Sequence, residues 1–110
     1  MADCSAWCWA TTDSLQPLKL TLERSGNDVL LYGENQGRSV IEFKRVLVCL
    51  TYGWGASISY LRPSNFGFEN LEQGTWTLLY RFTNTTATSG YAQGEYLEVT
   101  GRSVGECTSL

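Results

Sequence analysis

The sequence predicts an all-β protein, built as an antiparallel β-sandwich or small barrel of the Greek-key or immunoglobulin-like kind. Apolar and polar residues alternate over several short runs, which is the pattern of half-buried strands. Glycine, asparagine and serine separate these runs, as is typical of turns, and no stretch repeats with the period of a helix. With 110 residues and 43% hydrophobic content, we assign residues 1–110 to a single β domain.

The first predicted strands form a hairpin. Leucines alternate with polar residues over residues 18–24, which predicts a strand with one buried face. Ser-Gly-Asn-Asp at residues 25–28 supplies turn chemistry, and residues 29–32 read as the returning strand.

The longest β-rich run covers residues 39–50. It alternates at first and becomes apolar on both faces, so we predict a strand that starts half exposed and ends buried. A bulge is expected near Lys44 and Arg45. A tight turn at residues 52–55 then leads to a short strand at 57–61.

An irregular segment over residues 64–74 precedes a strand at residues 76–82. Large apolar side chains occupy the alternate positions of this strand. We expect them on one face, with the aromatic ones in the core: Trp76, Leu78, Tyr80 and Phe82.

The last predicted elements are a polar loop at residues 83–90 and a strand at 95–100. The run from residue 74 to residue 99 resembles the last hairpin of many immunoglobulin-like domains. This resemblance implies a sandwich architecture and carries no implication for function.

The cysteine count is compatible with two disulfides and an oxidising compartment. The four residues are Cys4, Cys8, Cys49 and Cys107. Four cysteines allow three connectivities, and we favour a bridge between Cys107 and either Cys4 or Cys8, which would tie the chain ends together. The alternatives are a buried free thiol at Cys49, within an apolar run, and a zinc site, which the spacing disfavours.

A secreted or extracellular location is predicted rather than a cytosolic one. The cysteines favour it, and Asn84-Thr85-Thr86 fits the N-glycosylation pattern in a polar loop. The N-terminus has neither the basic nor the apolar region of a signal peptide, so a secreted form would be a mature chain with an added Met.

Composition argues against several classes of function. A net charge of −3 provides no basic footprint for nucleic acid, and no apolar run is long enough for membrane insertion. The absence of histidine removes the Ser-His and Cys-His nucleophile systems. Glutamates such as Glu42 and Glu98 lie at solvent-facing strand positions. We therefore predict no enzyme, no cofactor and no metal site.

Loop aromatics are the candidate binding residues. Trp54 lies between two glycines in a predicted turn, and exposed rings of this kind offer flat apolar surfaces to a sugar or a protein. The other members of the predicted site are Phe66, Phe68 and Tyr91, with Asn65 and Arg62 as polar neighbours. The alternative is that these loops fold back and close the ends of the core.

The sequence therefore predicts a non-catalytic binding module that recognises a glycan or a cell-surface protein through aromatic loops. The alternative is a structural or self-assembling protein of a virion or the extracellular space, or a small secreted effector. Self-association would use edge strands with few charges, such as residues 57–61.

Overall fold

The structure is a computed structural model that describes Cys4 and residues 17–97 and 102–110. Its described part is mostly antiparallel strand arranged in two packed sheets, which confirms the predicted all-β sandwich. The elements are β1 (Leu18–Ser25), β2 (Asp28–Asn35), β3 (Ile41–Tyr52), β4 (Gly55–Leu61), α1 (Pro63–Phe66), β5 (Asn70–Leu71), β6 (Trp76–Phe82), β7 (Ser89–Leu97) and β8 (Arg102–Ser109).

The two sheets differ in size. The small sheet has the strand order β1-β2-β6, and the large sheet has the order β4-β3-β7-β8, with β5 paired to the start of β3. All pairings are antiparallel. Among the described residues, strands β1 and β6 therefore form the edges of the small sheet, and β4 and β8 form those of the large sheet.

One apolar core fills the space between the sheets. Alternate residues of β1 and β2 point inward, as the leucine pattern predicts, and meet the inner face of β3 and β7. The largest contributions come from Leu18, Leu20, Leu22, Val29, Leu31, Phe43, Val46, Val48, Leu50 and Tyr96. Burial of this apolar area is the main force that holds the sheets together.

A buried amide organises the lower end of the sandwich, where the chain leaves the small sheet. The side chain of Asn35 is fully buried, and its Nδ2 donates to the carbonyls of Ser39, at 2.8 Å, and Leu71, at 2.9 Å. Its Oδ1 accepts from the N–H of Gly37 at 2.9 Å. The backbone of Asn35 also donates to the carbonyl of Thr75, just before β6.

The guanidinium of Arg24 stabilises the upper end of the sandwich, which is the end with the β1–β2 turn. Arg24 Nη1 donates to the carbonyls of Gly26, at 3.3 Å, and Thr85, at 3.1 Å, and Nη2 donates to the carbonyl of Ala87. The N–H of Thr85 in turn donates to the carbonyl of Asn27 at 2.7 Å. These bonds fasten the loop before β7 to the β1–β2 turn.

Several boundaries differ from the prediction. The predicted bulge is confirmed, because Phe43 pairs with Tyr96 and Arg45 with Glu95, leaving Lys44 as the extra residue. Strand β7 begins at Ser89, well before the predicted start of the last strand at residue 95. Strand β8 was not predicted, since its small and polar residues show no clear alternation of apolar side chains.

The disulfide that the structure describes joins Cys4 to Cys49, which are 45 residues apart in sequence. Of the two partners favoured for Cys107, Cys4 is therefore wrong, and the alternative of a free thiol at Cys49 is wrong as well. Cys107 is also disulfide-bonded, and the expectation for Cys8 lies outside the described residues. Because Val48 and Leu50 point into the core, Cys49 points to the outer face of the large sheet, where Cys4 packs against it.

We predict that Gly90→Ala destabilises the sandwich. A Cβ atom there would lie 2.8 Å from Leu22 Cδ1 and 3.0 Å from Leu50 Cδ2, between the two sheets. The free energy of unfolding, measured in urea, should fall by about 1–3 kcal/mol. Gly53→Ala, where a Cβ atom meets nothing within 4 Å, is the matched control and should stay within about 0.5 kcal/mol of the parent. Equal effects of the two changes would contradict the packing described here.

A second prediction concerns the disulfide. Replacing both Cys4 and Cys49 by alanine opens a loop of 45 residues, which should lower the free energy of unfolding by roughly 4 kcal/mol. The measurement is the midpoint of guanidinium unfolding, followed by tryptophan fluorescence. An unchanged midpoint with an unchanged slope would show that the bond contributes little.

Candidate functional site

Trp54 is the predicted site residue that the structure leaves most exposed. It lies at the tip of the β3–β4 hairpin with 68% of its surface accessible. Its indole stacks on Tyr52, with ring centroids 5.0 Å apart and planes 11° from parallel. The hydroxyl of Thr85 donates to Tyr52 Oη at 2.9 Å and so fixes the lower ring of the stack.

Phe66 and Phe68 are half-buried and close the end of the core, which is the alternative that the sequence left open for these loops. Both meet Phe43 edge to face, at centroid distances of 5.3 and 6.2 Å, and they contact each other at 5.3 Å. Arg62 and Asn65 are exposed at the start of α1. Asn65 Oδ1 accepts from the N–H of Arg62 at 2.8 Å, and this bond caps the helix.

Tyr91 is buried, with 1% of its surface accessible, which corrects the prediction of a loop residue. Gly90 and Tyr91 belong to β7, and the ring lies over Gly105 of β8, where any Cβ atom would collide with it. Its hydroxyl donates to Gln93 Oε1 at 3.0 Å, and burial raises the pKa of the phenol. Tyr91 is a structural residue of the large sheet.

The six predicted residues therefore do not form one surface. Trp54 and α1 lie at opposite ends of β4, which has 7 residues. At a rise of about 3.3 Å per residue they are separated by more than about 20 Å. Trp54 alone remains a candidate contact residue at its end of the molecule.

The structure places a different set of aromatic side chains on the outer face of the small sheet. Trp76 is 58% exposed and Leu78 is 39% exposed, whereas Tyr32 is half-buried beside them. The rings of Tyr32 and Trp76 stack with centroids 4.5 Å apart and an interplanar angle of 11°. We call Tyr32, Trp76 and Leu78 the aromatic face.

A β-bulge explains why Trp76 is not in the core. Leu31 pairs with Tyr80 and Tyr32 pairs with Leu78, so Leu79 is an extra residue in β6. The extra residue reverses the side-chain phase, which leaves Tyr80 on the core side and turns Trp76 outward.

Leu79, at 4% exposure, fills the space over Gly33, where a Cβ atom would lie 3.0 Å from Leu79 Cδ1. The sequence contained a signal for the bulge in the adjacent leucines at positions 78 and 79 opposite a glycine. Strict alternation concealed it.

Polar side chains flank the aromatic face in a regular order. Cross-strand register places Lys19, Glu34 and Trp76 in one row, and Thr21 in the next row beside Tyr32. The face therefore combines stacked rings with an ammonium group, a carboxylate and a hydroxyl.

An ion pair stands at the far end of the same face. Arg81 Nη1 donates to Asp28 Oδ2 at 2.8 Å. The backbone N–H of Asn84, followed by Arg81, holds the pKa of Asp28 below its usual range.

A groove of about 300 Å³ opens on the outer face of the large sheet. It is lined by Arg45, Leu47, Tyr60, Gln93 and Glu95. Arg45 makes two hydrogen bonds to Glu95, at 2.7 and 3.0 Å, which lower the pKa of Glu95 and raise that of Arg45. Because these charges already satisfy each other, a ligand would have to break the pair in order to use them.

Two kinds of feature are absent from the described residues. Among them, no cluster of three or more His, Cys, Asp or Glu residues could hold a metal ion. Within the same residues, no helix has the length and apolar character needed to cross a membrane. No family model, curated protein or solved structure matches the chain.

The bulge yields a prediction from two adjacent leucines. Leu79→Ala should lower the free energy of unfolding by about 2–5 kcal/mol, because it opens a cavity at a buried site. Leu78→Ala should cost less than about 1 kcal/mol, because that side chain is 39% exposed. Urea unfolding of both variants provides the measurement. A regular strand without the bulge would give the reverse order.

Proposed function

We propose that this chain is a non-catalytic binding module that holds a glycan against the aromatic face. The observation that carries the proposal is the 58% exposure of Trp76, next to Leu78 and Tyr32 and in register with charged groups. A cluster of large apolar side chains on a solvent face costs solubility and commonly marks a binding surface. A tryptophan and a tyrosine side by side are also the residues that dominate binding energy in interfaces.

The chemistry of this face suits a sugar ring. Tyr32 covers one side of the Trp76 indole, and no described strand lies beyond β6, so the 58% exposure of Trp76 leaves ring surface for a ligand. A pyranose has one apolar face for stacking and a rim of hydroxyls that donate and accept hydrogen bonds. Glu34 and Lys19 would supply the acceptor and the donor beside the ring.

The proposal moves the site from the loops to a sheet face. Trp54 becomes the competing site, since it is exposed but has no comparable row of charged neighbours described beside it. Recognition of a cell-surface protein by the aromatic face is the competing partner class. An extracellular location fits both, because the Cys4–Cys49 disulfide is compatible with an oxidising compartment.

The test is a calorimetric titration of the protein with each member of a panel of soluble oligosaccharides. Trp76→Ala should weaken the binding of any oligosaccharide hit by about tenfold or more, because the stacking surface is lost. Trp76→Phe should keep part of the affinity. The melting temperature should change little in both variants, since the side chain is largely exposed.

Trp54→Ala is the matched control and should bind like the parent protein. Loss of binding in Trp54→Ala with full binding in Trp76→Ala would move the site to the β3–β4 hairpin. A protein that binds cultured cells but no oligosaccharide, and loses cell binding with Trp76→Ala, would assign the aromatic face to a protein partner instead.

A further inference from the structure

Strand β4 is an edge of the large sheet, and within the described residues it pairs with β3 alone. One side of its backbone therefore presents N–H and C=O groups that a further strand can use. Its 7 residues, Gly-Ala-Ser-Ile-Ser-Tyr-Leu, form a regular strand without a bulge.

This edge lacks the features that usually prevent strand-to-strand association. Between Gly55 and Leu61 there is no charged residue and no proline. The other edge strands that bound the two sheets all carry charge: Lys19, Glu23 and Arg24 in β1, Arg81 in β6, and Arg102 and Glu106 in β8. Strand β6 is interrupted by its bulge as well.

Apolar side chains follow the outer face of this same strand. Ile58 is 44% exposed and Tyr60 is 58% exposed. A monomer therefore exposes an uncharged backbone edge and an apolar stripe at one place.

We propose that β4 pairs with β4 of a second copy of this chain, antiparallel and centred on Ile58. The pairing would join the two large sheets into one continuous sheet across a two-fold axis. The interface is isologous, so each contact occurs twice. It goes beyond the proposed glycan binding and involves the other sheet.

The sequence of β4 is self-complementary in this register. Ile58 faces its own copy, Ser57 faces Ser59 of the second copy, and the large Tyr60 faces the small Ala56 of the second copy. Gly55 faces Leu61 at both ends, so every residue of the strand is paired. No like charges meet, which is the usual obstacle when a strand pairs with itself. A partner of different sequence would have to reproduce this complementarity, whereas a second copy provides it.

The test is the molecular mass in solution, measured by sedimentation equilibrium at concentrations from about 1 µM to about 1 mM, the range of affinities for small interfaces. The parent protein should shift from the 12.3 kDa of one chain towards twice that mass. Ile58→Lys should abolish the shift, because it places two ammonium groups opposite each other across the axis. Circular dichroism should show an unchanged fold.

Val40→Lys is the matched control, because Val40 has the same 44% exposure as Ile58 but lies outside β4. It should dimerise like the parent. A parent that stays at the mass of one chain throughout would overturn the proposal, as would dimers that persist in Ile58→Lys or vanish equally in Val40→Lys.

A covalent trap tests the register independently of affinity. In the proposed pairing the Cβ atoms of the two Ile58 residues lie about 4.5–5.5 Å apart, within reach of a disulfide after a small shift. Mild oxidation of Ile58→Cys should give a covalent dimer on a non-reducing gel, whereas Val40→Cys should not. Equal cross-linking of the two variants would exclude the β4 interface.

Discussion

The fully buried amide of Asn35 is the constraint on which the lower half of the molecule depends. Both of its side-chain polar atoms are used, so the end of β2, the turn after it and β5 have one arrangement. An unsatisfied amide at this depth would cost more than the bonds contribute, which makes other arrangements unfavourable. The backbone bond from Asn35 to Thr75 then sets the start of β6 and brings Trp76 beside Tyr32.

Two edge strands of this sandwich have opposite designs. The bulge in β6 disrupts the edge of the small sheet and turns a tryptophan towards solvent, which leaves a side-chain surface. Strand β4 stays regular and uncharged, which leaves a backbone surface. The first kind of surface suits a small rigid ligand, and the second suits another strand. A dimer joined through β4 would keep the aromatic face of each copy free and bind multivalent ligands with higher avidity.

Much of the fold could be predicted from alternation, because burial on one face leaves a period of two in β1 and in β3, including the bulge at Lys44. The candidate site could not be predicted in the same way. One extra residue, Leu79, reverses the direction of the Trp76 side chain, and the strict alternation of residues 76–82 concealed this shift of register. The burial of Tyr91 was missed because its ring packs over Gly105, on a strand with almost no pattern of its own. The partner of Cys49 depends on tertiary packing, which spacing does not encode.

At the upper end of the sandwich, Arg24 has different partners from the arginines of the two surface ion pairs. Arg24 donates to three carbonyl groups and needs no carboxylate. A guanidinium stays protonated and carbonyls do not titrate, so this clamp is unaffected by acid. The stabilisation from Asp28, whose pKa is lowered in the folded state, is present above the usual pKa of a carboxyl and is lost only as the pH falls through that lowered value. Protonation of Asp28 therefore weakens the contact to Asn84 in the loop before β7, whereas the bonds from Arg24 to Thr85 and Ala87 in the same loop do not depend on a carboxylate.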